Sequence, residues 1–541
     1  MFHSRRKLSA RLIDVCLFGL IFALIYHLRE RFIDYALEPD FQSGMISSWR
    51  QFLGTGQLAA LPVPTPVPYL DGQYILYALA AKLLRASILV VPAWSAWFPS
   101  QDSYNISAAL LVDSAAYAAA CWLFYRMMLR LTGSMPLAIG LALTLCLSPP
   151  MLDINLIRLD YLIMLPVIVL FSGGLTLARR TETTLDAVAL GAALAFVSTF
   201  KLTGGVFGIF IAIGLIVRLR SGPLGIRRQH ILCFAGSFLF FFIPLMFRYW
   251  AYLPMPGIAA VLWGGVGSVA QWDFFEQPLS YYAVTLFMAH GLDFVILYLA
   301  ASGFVVGRAV IRRDETSLYL AIAFLLFSAL GLIVMRYERG GYHLLPLYLA
   351  NVGLTITTLW RVAPPRFLPR AVAAIAAAVV VLSLVPAGIH YLQVVRDMKA
   401  RAAAVDETLG ASLEWLRTHV AVGSTVCIYK DSYWSGPPIS RLPITLVDTA
   451  FDFPYLDKAE MANFAVPSLA TIRSECEVVV LSGFYTAFID HVLRIEAPEQ
   501  AARWRHLVEE MRAAYPPAIF QHQPPISFAY SVTRIEVFDL R

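Results

Sequence analysis

Two acids, Glu38 and Asp40, and a scattered set of cations, Arg158, Lys201, Arg248, Arg339 and His343, are the side chains of this chain whose types and placement suit chemistry. A carboxylate held beside a hydroxyl can act as a general base, taking its proton while the oxygen attacks. Cations aimed at one point can stabilise negative charge as it develops on a leaving phosphate. The pair Glu38-Pro39-Asp40 also has a plain structural reading, with Asp40 capping a helix over Phe41 to Leu53.

The cations occur in distinctive contexts. Arg158 and Asp160 stand two apart in Asn155-Leu156-Ile157-Arg158-Leu159-Asp160-Tyr161, directly before an apolar run. Residues two apart do not share a helix face, so Asp160 needs a partner from elsewhere. Lys201 lies in Ser198-Thr199-Phe200-Lys201-Leu202-Thr203-Gly204-Gly205, in a chain that otherwise prefers arginine. A compact ammonium beside glycines that permit close backbone approach suits a phosphate contact, and a snorkelling turn lysine is the alternative. Arg336 to His343, which includes Arg339 and Tyr342, is too polar for a passive hairpin, and arginine forks bind phosphate bidentately. Arg248 carries the weakest signal, since a basic residue at a span end commonly anchors. Gln73, Trp272, Asp273 and Glu276 fall in the same loops, but no spacing selects them.

The elements that must position these groups are membrane spans. Of 541 residues, 59% are hydrophobic and 14% charged, with mean hydropathy +0.66, against about 25% charged in ordinary soluble proteins. A soluble enzyme is excluded on that basis. The net charge of +6 does not indicate nucleic acid, because the arginines sit in small groups between apolar runs. The run Leu12 to Leu28 follows Arg5, Arg6, Lys7 and Arg11 and precedes no small-residue cleavage site, so it reads as an uncleaved anchor. Further spans are expected at about 104–125, 135–150, 156–177, 186–200, 202–217, 231–250, 283–303, 317–335, 344–360 and 371–388. The expected fold is thus an α-helical polytopic membrane protein of about eleven transmembrane helices.

Basic residues fall in alternate loops: Arg126 and Arg130; Arg179 and Arg180; Arg218, Arg220, Arg227 and Arg228; Arg308, Arg312 and Arg313; Arg361, Arg366 and Arg370. Cytoplasmic loops retain Lys and Arg, so the N-terminus is expected inside a cytoplasmic (inner) membrane. An odd number of spans then places residues 390–541 in the periplasm or outside the cell. Residues 1–389 form the membrane module, with a first outer loop over 29–99. Within that loop Gln73 to Val91 is apolar yet holds Lys82 and Arg85, which suits a helix lying at the membrane surface. On this topology the two acids and the cations share the outer face.

The tail reads as a small α/β domain. Glu407 to His419 has a helical period, Thr425 to Tyr429 and Glu477 to Ser482 are short apolar strands, and Ser531 to Phe538 alternates. Cys427 and Cys476 lie here, where an oxidising compartment permits a disulfide whose geometry sequence does not fix. The four other cysteines lie within spans as small apolar residues. No zinc, P-loop or dinucleotide motif is placed where it would work. No internal repeat is evident either, which weighs against an inverted-repeat transporter.

Together these residues resemble the GT-C superfamily of membrane glycosyltransferases, which includes protein O-mannosyltransferases and aminoarabinose transferases. Asp40, Leu53-Gly54-Thr55-Gly56 and Pro68-Tyr69-Leu70-Asp71-Gly72-Gln73-Tyr74 resemble the family's first outer loop. Asn155 to Tyr161 resembles its Arg-x-Asp span entrance, Thr199-Phe200-Lys201 its "LTK" turn, and Arg339 to Pro346 its late "RY-LL-P" segment. The resemblance covers about half the chain, and the order of the segments is more specific than any one of them. It implies transfer of a sugar from a polyprenyl-phosphate donor to an external acceptor, with membrane lipid as a partner and no nucleic acid. Asp40 or Glu38 would serve as base, and Lys201, Arg339, Arg158, His343 and Arg248 would meet the donor phosphate, with Asp160 and Tyr342 nearby. Many members have adjacent Asp-Glu, or an acid followed by tyrosine a turn later. Glu38-x-Asp40 departs from both patterns, which leaves the choice of carboxylate open, with Asp40 preferred. Metal use varies in the family; two carboxylates near a phosphate could hold Mg or Mn, though no spacing here demands it.

Two other readings compete. A transporter or flippase of lipid-linked saccharides expects charges at mid-span and repeat symmetry. A non-catalytic scaffold would leave the clustered outer cations without a role.

Overall fold

The computed structural model describes residues 2–30, 72–91, 101–147, 160–200, 202–222, 225–247, 292–333, 344–361, 411–428, 445–448, 466–482, 498–521 and 534–541, with four isolated positions between 371 and 389. The chain divides into two compact units, one holding the apolar helices and the other the C-terminal residues from Gln393.

In the first unit the described helices are α1 (Phe2–Glu30), α2 (Gly72–Val90), α3 (Gln101–Thr132), α4 (Met135–Cys146), α5 (Asp160–Ala178) and α6 (Thr184–Phe200). A 3-10 segment, Leu202–Gly208, leads into α7 (Ile209–Arg220), followed by α8 (Arg228–Phe247), α9 (Leu292–Arg312), α10 (Glu315–Ile333) and α11 (Leu345–Arg361). Among the described residues one helical stretch, Val295–Arg312, is by itself long and apolar enough to cross a bilayer, and six shorter apolar helices accompany it. The expected span 371–388 falls almost wholly outside the described residues.

Lipid offers no hydrophobic drive for helix association, so close packing must supply it, and small residues permit the closest approach. A side chain at Gly174 in α5 would lie 2.3 Å from the Phe210 carbonyl oxygen of α7, and one at Gly214 would lie 2.4 Å from the Gly174 carbonyl oxygen. Gly191 brings α6 equally close to the Phe234 carbonyl of α8, and Gly353 seats α11 against Met128 and Leu141. Hydrogen bonds add to these contacts. Tyr319 donates to the Phe171 carbonyl at 2.9 Å, and Asn351 donates to the Ser302 hydroxyl at 3.0 Å.

The helix ends on one face are clamped by arginines. Arg126 pairs with Asp14 at 3.0 Å, Arg361 donates to the Thr132 carbonyl at 2.9 Å, and Arg218 pairs with Glu182. Arg308 pairs with Asp314 at 2.9 Å and also bonds the Thr358 hydroxyl. Several of these groups were expected in loops. Instead α3 runs to Thr132, and the helix expected over 283–303 ends at Arg312, so Arg126, Arg130, Arg308 and Arg312 are helical. Arg126 and Arg308 reach partners on other segments, which compensates the polar groups and lets the helices continue past their apolar stretches.

Two turns on this face, α5–α6 and α9–α10, share a sequence pattern and a left-handed arginine but differ in length, five residues between helices in the first and two in the second. Arg179-Arg180-Thr181-Glu182-Thr183-Thr184-Leu185 resembles Arg312-Arg313-Asp314-Glu315-Thr316-Ser317-Leu318. In each, the second arginine is left-handed, with φ of 54° at Arg180 and 53° at Arg313, which costs a non-glycine residue about 1–2 kcal/mol. The caps on the next helices differ: Thr183 and Asp186 cap reciprocally, Asp186 accepting from the Thr183 N–H and Thr183 from the Asp186 N–H, whereas Asp314 accepts from both the N–H and the hydroxyl of Ser317. Burial works to raise the Asp314 carboxyl, but the Ser317 N–H, the Arg308 guanidinium and the Ser317 hydroxyl outweigh it and hold the group below its ordinary value.

The second unit is a three-layer α/β domain. Its described elements are α12 (411–419), β1 (Thr425–Ile428), β2 (Thr445–Asp448), α13 (Leu469–Glu475), β3 (Val478–Ser482), α14 (Pro498–Ala514), β4 (Ala518–Gln521) and β5 (Arg534–Asp539). The sheet order is β2-β1-β3-β5-β4. β1 runs parallel to β2 and β3, while β5 is antiparallel to β3 and β4. One face packs Val479, Leu481 and Phe538 against Trp504, Leu507 and Met511 of α14. The other packs Val426, Val480 and Val537 against Leu416 of α12 and Val420 just beyond it. Cys427 of β1 and Cys476 before β3 form a disulfide, with Cα atoms 5.6 Å apart.

β5 corrects the expectation of a half-exposed alternating strand. It is a central strand, and its polar Glu536 is 3% exposed. Arg512 and Arg534 both donate to the Glu536 carboxylate, Arg512 Nη2 at 3.0 Å and Arg534 Nε at 2.9 Å, which supplies the pairing a buried charge requires. The strands β2 and β4 were not anticipated. Each has four residues, too short to show a period.

Candidate active site at the helix ends

Glu38, Asp40, Arg158, Lys201, Arg248, Arg339, Tyr342 and His343 lie outside the described residues, and Asp160 is the first residue of α5. Arg158 precedes α5, Lys201 separates α6 from the 3-10 segment, Arg248 follows the last residue of α8, and Arg339 to His343 connect α10 to α11. The opposite ends of α5, α6, α10 and α11, at Ala178, Thr184, Glu315 and Arg361, adjoin the clamped arginine face. Helices α6 and α11 have 17 residues each, and α5 and α10 have 19. At 1.5 Å per residue these span roughly 25 to 28 Å, close to the ~30 Å hydrocarbon thickness. The described helix ends that adjoin these cations in sequence therefore lie on the face away from the arginine turns.

The chain around Lys201 shows why the reversal has glycine beside it. α6 ends at Phe200, and the next residues tighten into the 3-10 segment Leu202–Gly208 before α7 begins. A side chain at Gly204 would come within 2.2 Å of the Val197 carbonyl oxygen, whereas one at Gly205 would meet only the Ser198 hydroxyl at 3.5 Å. Gly204 therefore lets the 3-10 segment close on the last turn of α6. Irregular backbone between two apolar helices is tolerated where protein or a water-lined cavity surrounds it, a common setting for ligand sites in membrane proteins.

The first-loop segment expected as an apolar surface helix is α2. It buries Tyr77 and Ala81 and packs on α3 and on α6, the helix that leads to Lys201. Part of the acid-bearing loop is thereby tied to a cation-bearing helix.

Sequence reasoning passes over Asp113. It is 2% exposed and adjoins fully buried Ser114 inside α3, 12 residues or roughly 18 Å along the helix from Gln101. A carboxylate within an apolar run is costly and marks a functional candidate. That signal is present in the sequence, where Asp113 interrupts Ala108 to Cys121. Among the described residues no group of three or more His, Cys, Asp and Glu side chains gathers to hold a metal ion. Glu38 and Asp40, the carboxylates considered for Mg or Mn, lie outside them.

No family model matches the sequence, and no curated protein matches it either. Solved structures do match. ArnT, the aminoarabinose transferase of Cupriavidus metallidurans, bound to undecaprenyl phosphate, superposes with a TM-score of 0.58 at 12% identity, covering 98% of each chain. Its apo form gives 0.57 at 11% identity over the same shares. The apo oligosaccharyltransferase of Archaeoglobus fulgidus gives 0.51 at 11% identity, covering 96% of this chain and 74% of that one. The chain has the GT-C fold. At such low identity the likeness lies in the path of the backbone.

Proposed function

We propose that the protein is a membrane glycosyltransferase that moves a sugar from a polyprenyl-phosphate donor to a hydroxyl-bearing acceptor at the outer membrane face. The observation that carries this reading is the end-to-end structural match to ArnT bound to undecaprenyl phosphate. Asp40, with Glu38 beside it, takes the acceptor proton as the acceptor oxygen attacks the anomeric carbon. The bond from that carbon to the phosphate oxygen breaks, the polyprenyl phosphate leaves, and the configuration inverts. Lys201 and Arg339, with Arg158, His343 and Arg248, stabilise the charge gathering on the phosphate. Asp160 and Tyr342 orient these cations or the sugar. The acceptor is a lipid, a glycan or a protein.

The arginine face is the cytoplasmic one on this reading, because the groups on the opposite face must meet an external acceptor. Residues 390–541 then lie in the periplasm or outside the cell, and the Cys427–Cys476 disulfide is consistent with an oxidising compartment.

The test is to incubate the purified protein with a panel of polyprenyl-phosphate sugars and follow transfer or donor hydrolysis, with Asp40→Asn in parallel. Wild type should consume at least one donor. Asp40→Asn should bind it with unchanged affinity and turn it over at least about a hundredfold more slowly, the scale of a lost general base. Full activity in that variant removes the base assignment. Movement of intact donors across vesicles without turnover would instead favour the transport reading, for which Asp113 supplies a mid-span charge.

A further inference from the structure

Helix α3 has 32 residues, roughly 48 Å, against ~30 Å of hydrocarbon. For a residue midway along it, such as Asp113, only contacts with neighbouring helices set the level. Helix α11 runs beside α3 toward the clamped face, where Arg361 donates to the Thr132 carbonyl. A side chain at Gly353 would lie 2.3 Å from Met128 Cε and 3.3 Å from Thr132 Cγ2, so Gly353 stands level with the last turn of α3. From Gly353, α11 reaches back to its first residue, Leu345, roughly 12 Å away from the clamped face. Asp113 lies much further in that direction, roughly 22 Å from Met128. Helix α4, which folds back along α3, ends at Cys146. The Leu145 carbonyl there accepts from Tyr117 at 3.4 Å, one turn short of Asp113. The carboxylate therefore stands past the ends of both neighbours, about 10 Å beyond the first turn of α11, on the side that carries the candidate site.

This level is dry. Asp113 is 2% exposed and Ser114 fully buried, with α1, α2 and α5 packed on the same helix. A carboxylate removed from water needs a counter-charge or donors. Arg339 precedes Leu345 by six residues, a tether of up to about 20 Å, which covers the distance from α11 to Asp113. Arg158 precedes the first residue of α5 by two, a tether of about 7 Å. Arginine has five N–H donors in a planar fork, so a carboxylate can fix the plane of the guanidinium and leave other donors for phosphate.

We propose that Asp113 is the counter-ion of Arg339, a positioning residue that holds the guanidinium toward the donor phosphate. The inference rests on the reading of Arg339 as a phosphate-binding cation. It separates two tasks among the acids: Asp40 or Glu38 takes the acceptor proton, whereas Asp113 stays ionised and sets geometry.

The test titrates purified full-length protein in detergent with undecaprenyl phosphate, with thermal unfolding followed in parallel. Asp113→Asn, which keeps the shape and removes the charge, should bind about tenfold more weakly. Asp113→Glu, which keeps the charge, should recover most of that loss. Arg339→Gln should also bind about tenfold more weakly, and adding Asp113→Asn to it should cost nothing further, because residues acting through one contact are not additive. A carboxyl deprived of its counter-ion neutralises by binding a proton, and a guanidinium on a connecting segment turns to water, so unfolding temperatures should stay close to wild type. Ser114→Ala, a change at the same depth, should alter neither measurement. Wild-type affinity in Asp113→Asn overturns the assignment. So does an equal loss in Asp113→Glu, an additive loss in the double variant, or coupling to Arg158→Gln in place of Arg339→Gln. A fall in the unfolding temperature of Asp113→Asn that Arg339→Gln does not reverse also overturns it. If wild type itself fails to bind undecaprenyl phosphate, the donor-site reading falls and takes this assignment with it.

Discussion

A cation that stabilises a leaving phosphate differs from one that clamps a helix end in what its removal costs. Lys201→Ala and Arg339→Ala should each weaken binding of a polyprenyl-phosphate sugar by about tenfold or more, equivalent to roughly 1.4 kcal/mol, while thermal unfolding changes little. Unchanged donor affinity in both variants, measured by titration of the purified protein, would argue against the phosphate site. Asp314 has a structural task, and its linkage to pH follows from its depressed pKa. A carboxyl that ionises more readily when folded contributes stability above its unfolded value, near ~3.9, and loses it as pH falls through the lower folded value. The difference in unfolding temperature between wild type and Asp314→Asn should therefore be full at neutral pH and shrink on acidification below about pH 4. A difference independent of pH would mean that the carboxylate charge does not hold the turn. At this scale the sequence singles out Lys201 by its residue type and the glycines that follow it. It concealed the pairing of Arg308 with Asp314 and Thr358, since the Thr358 contact forms across 50 residues.

Among the helices the decisive contacts are made by residues with no side chain. Gly174 and Gly214 let α5 and α7 meet backbone to backbone. Gly174→Leu places branched carbon where Phe210 and Tyr319 now sit, so the crossing must open and the Tyr319 bond to the Phe171 carbonyl must break. An overpacked site of this kind costs ~1–3 kcal/mol or more, which should appear as a lower unfolding temperature in detergent. Gly303→Leu in α9, where a side chain would meet nothing within 4 Å, should be nearly neutral by the same measurement. If both behave alike, the α5–α7 crossing does not set stability. Apolar length located these helices, yet it misplaced several ends by a turn or more. Length registers where hydrocarbon stops being favoured, whereas the helix stops where its last carbonyls and guanidinium groups find partners.

Across the whole molecule, one chain combines helices suited to lipid with an α/β domain suited to water. The disulfide joins β1 to the segment before β3 across a separation of 49 residues. Removing it by Cys427→Ser with Cys476→Ser should lower the stability of the C-terminal domain by about 2–5 kcal/mol, read as earlier protease cleavage within residues 393–541. A reporter fused after Arg541 should be active only on the non-cytoplasmic side, as the proposed topology requires. Activity of that fusion in the cytoplasm would reverse the orientation and the face assigned to the candidate site.

The sequence by itself marked this as a membrane protein, with its basic residues grouped beside alternate apolar runs and a tail of a different kind. These are properties of composition and order along the chain, carried by each segment without reference to its neighbours. It also marked Glu38, Asp40 and Lys201 by their residue types and settings. Only the tertiary structure decided which arginines clamp helix ends, that β5 is buried on both faces around a paired Glu536, and that Arg180 and Arg313 both take a left-handed backbone. Those outcomes depend on contacts between residues far apart in the chain. A guanidinium, a glycine or a cysteine becomes a clamp, a crossing point or a crosslink only when folding brings its partner within reach.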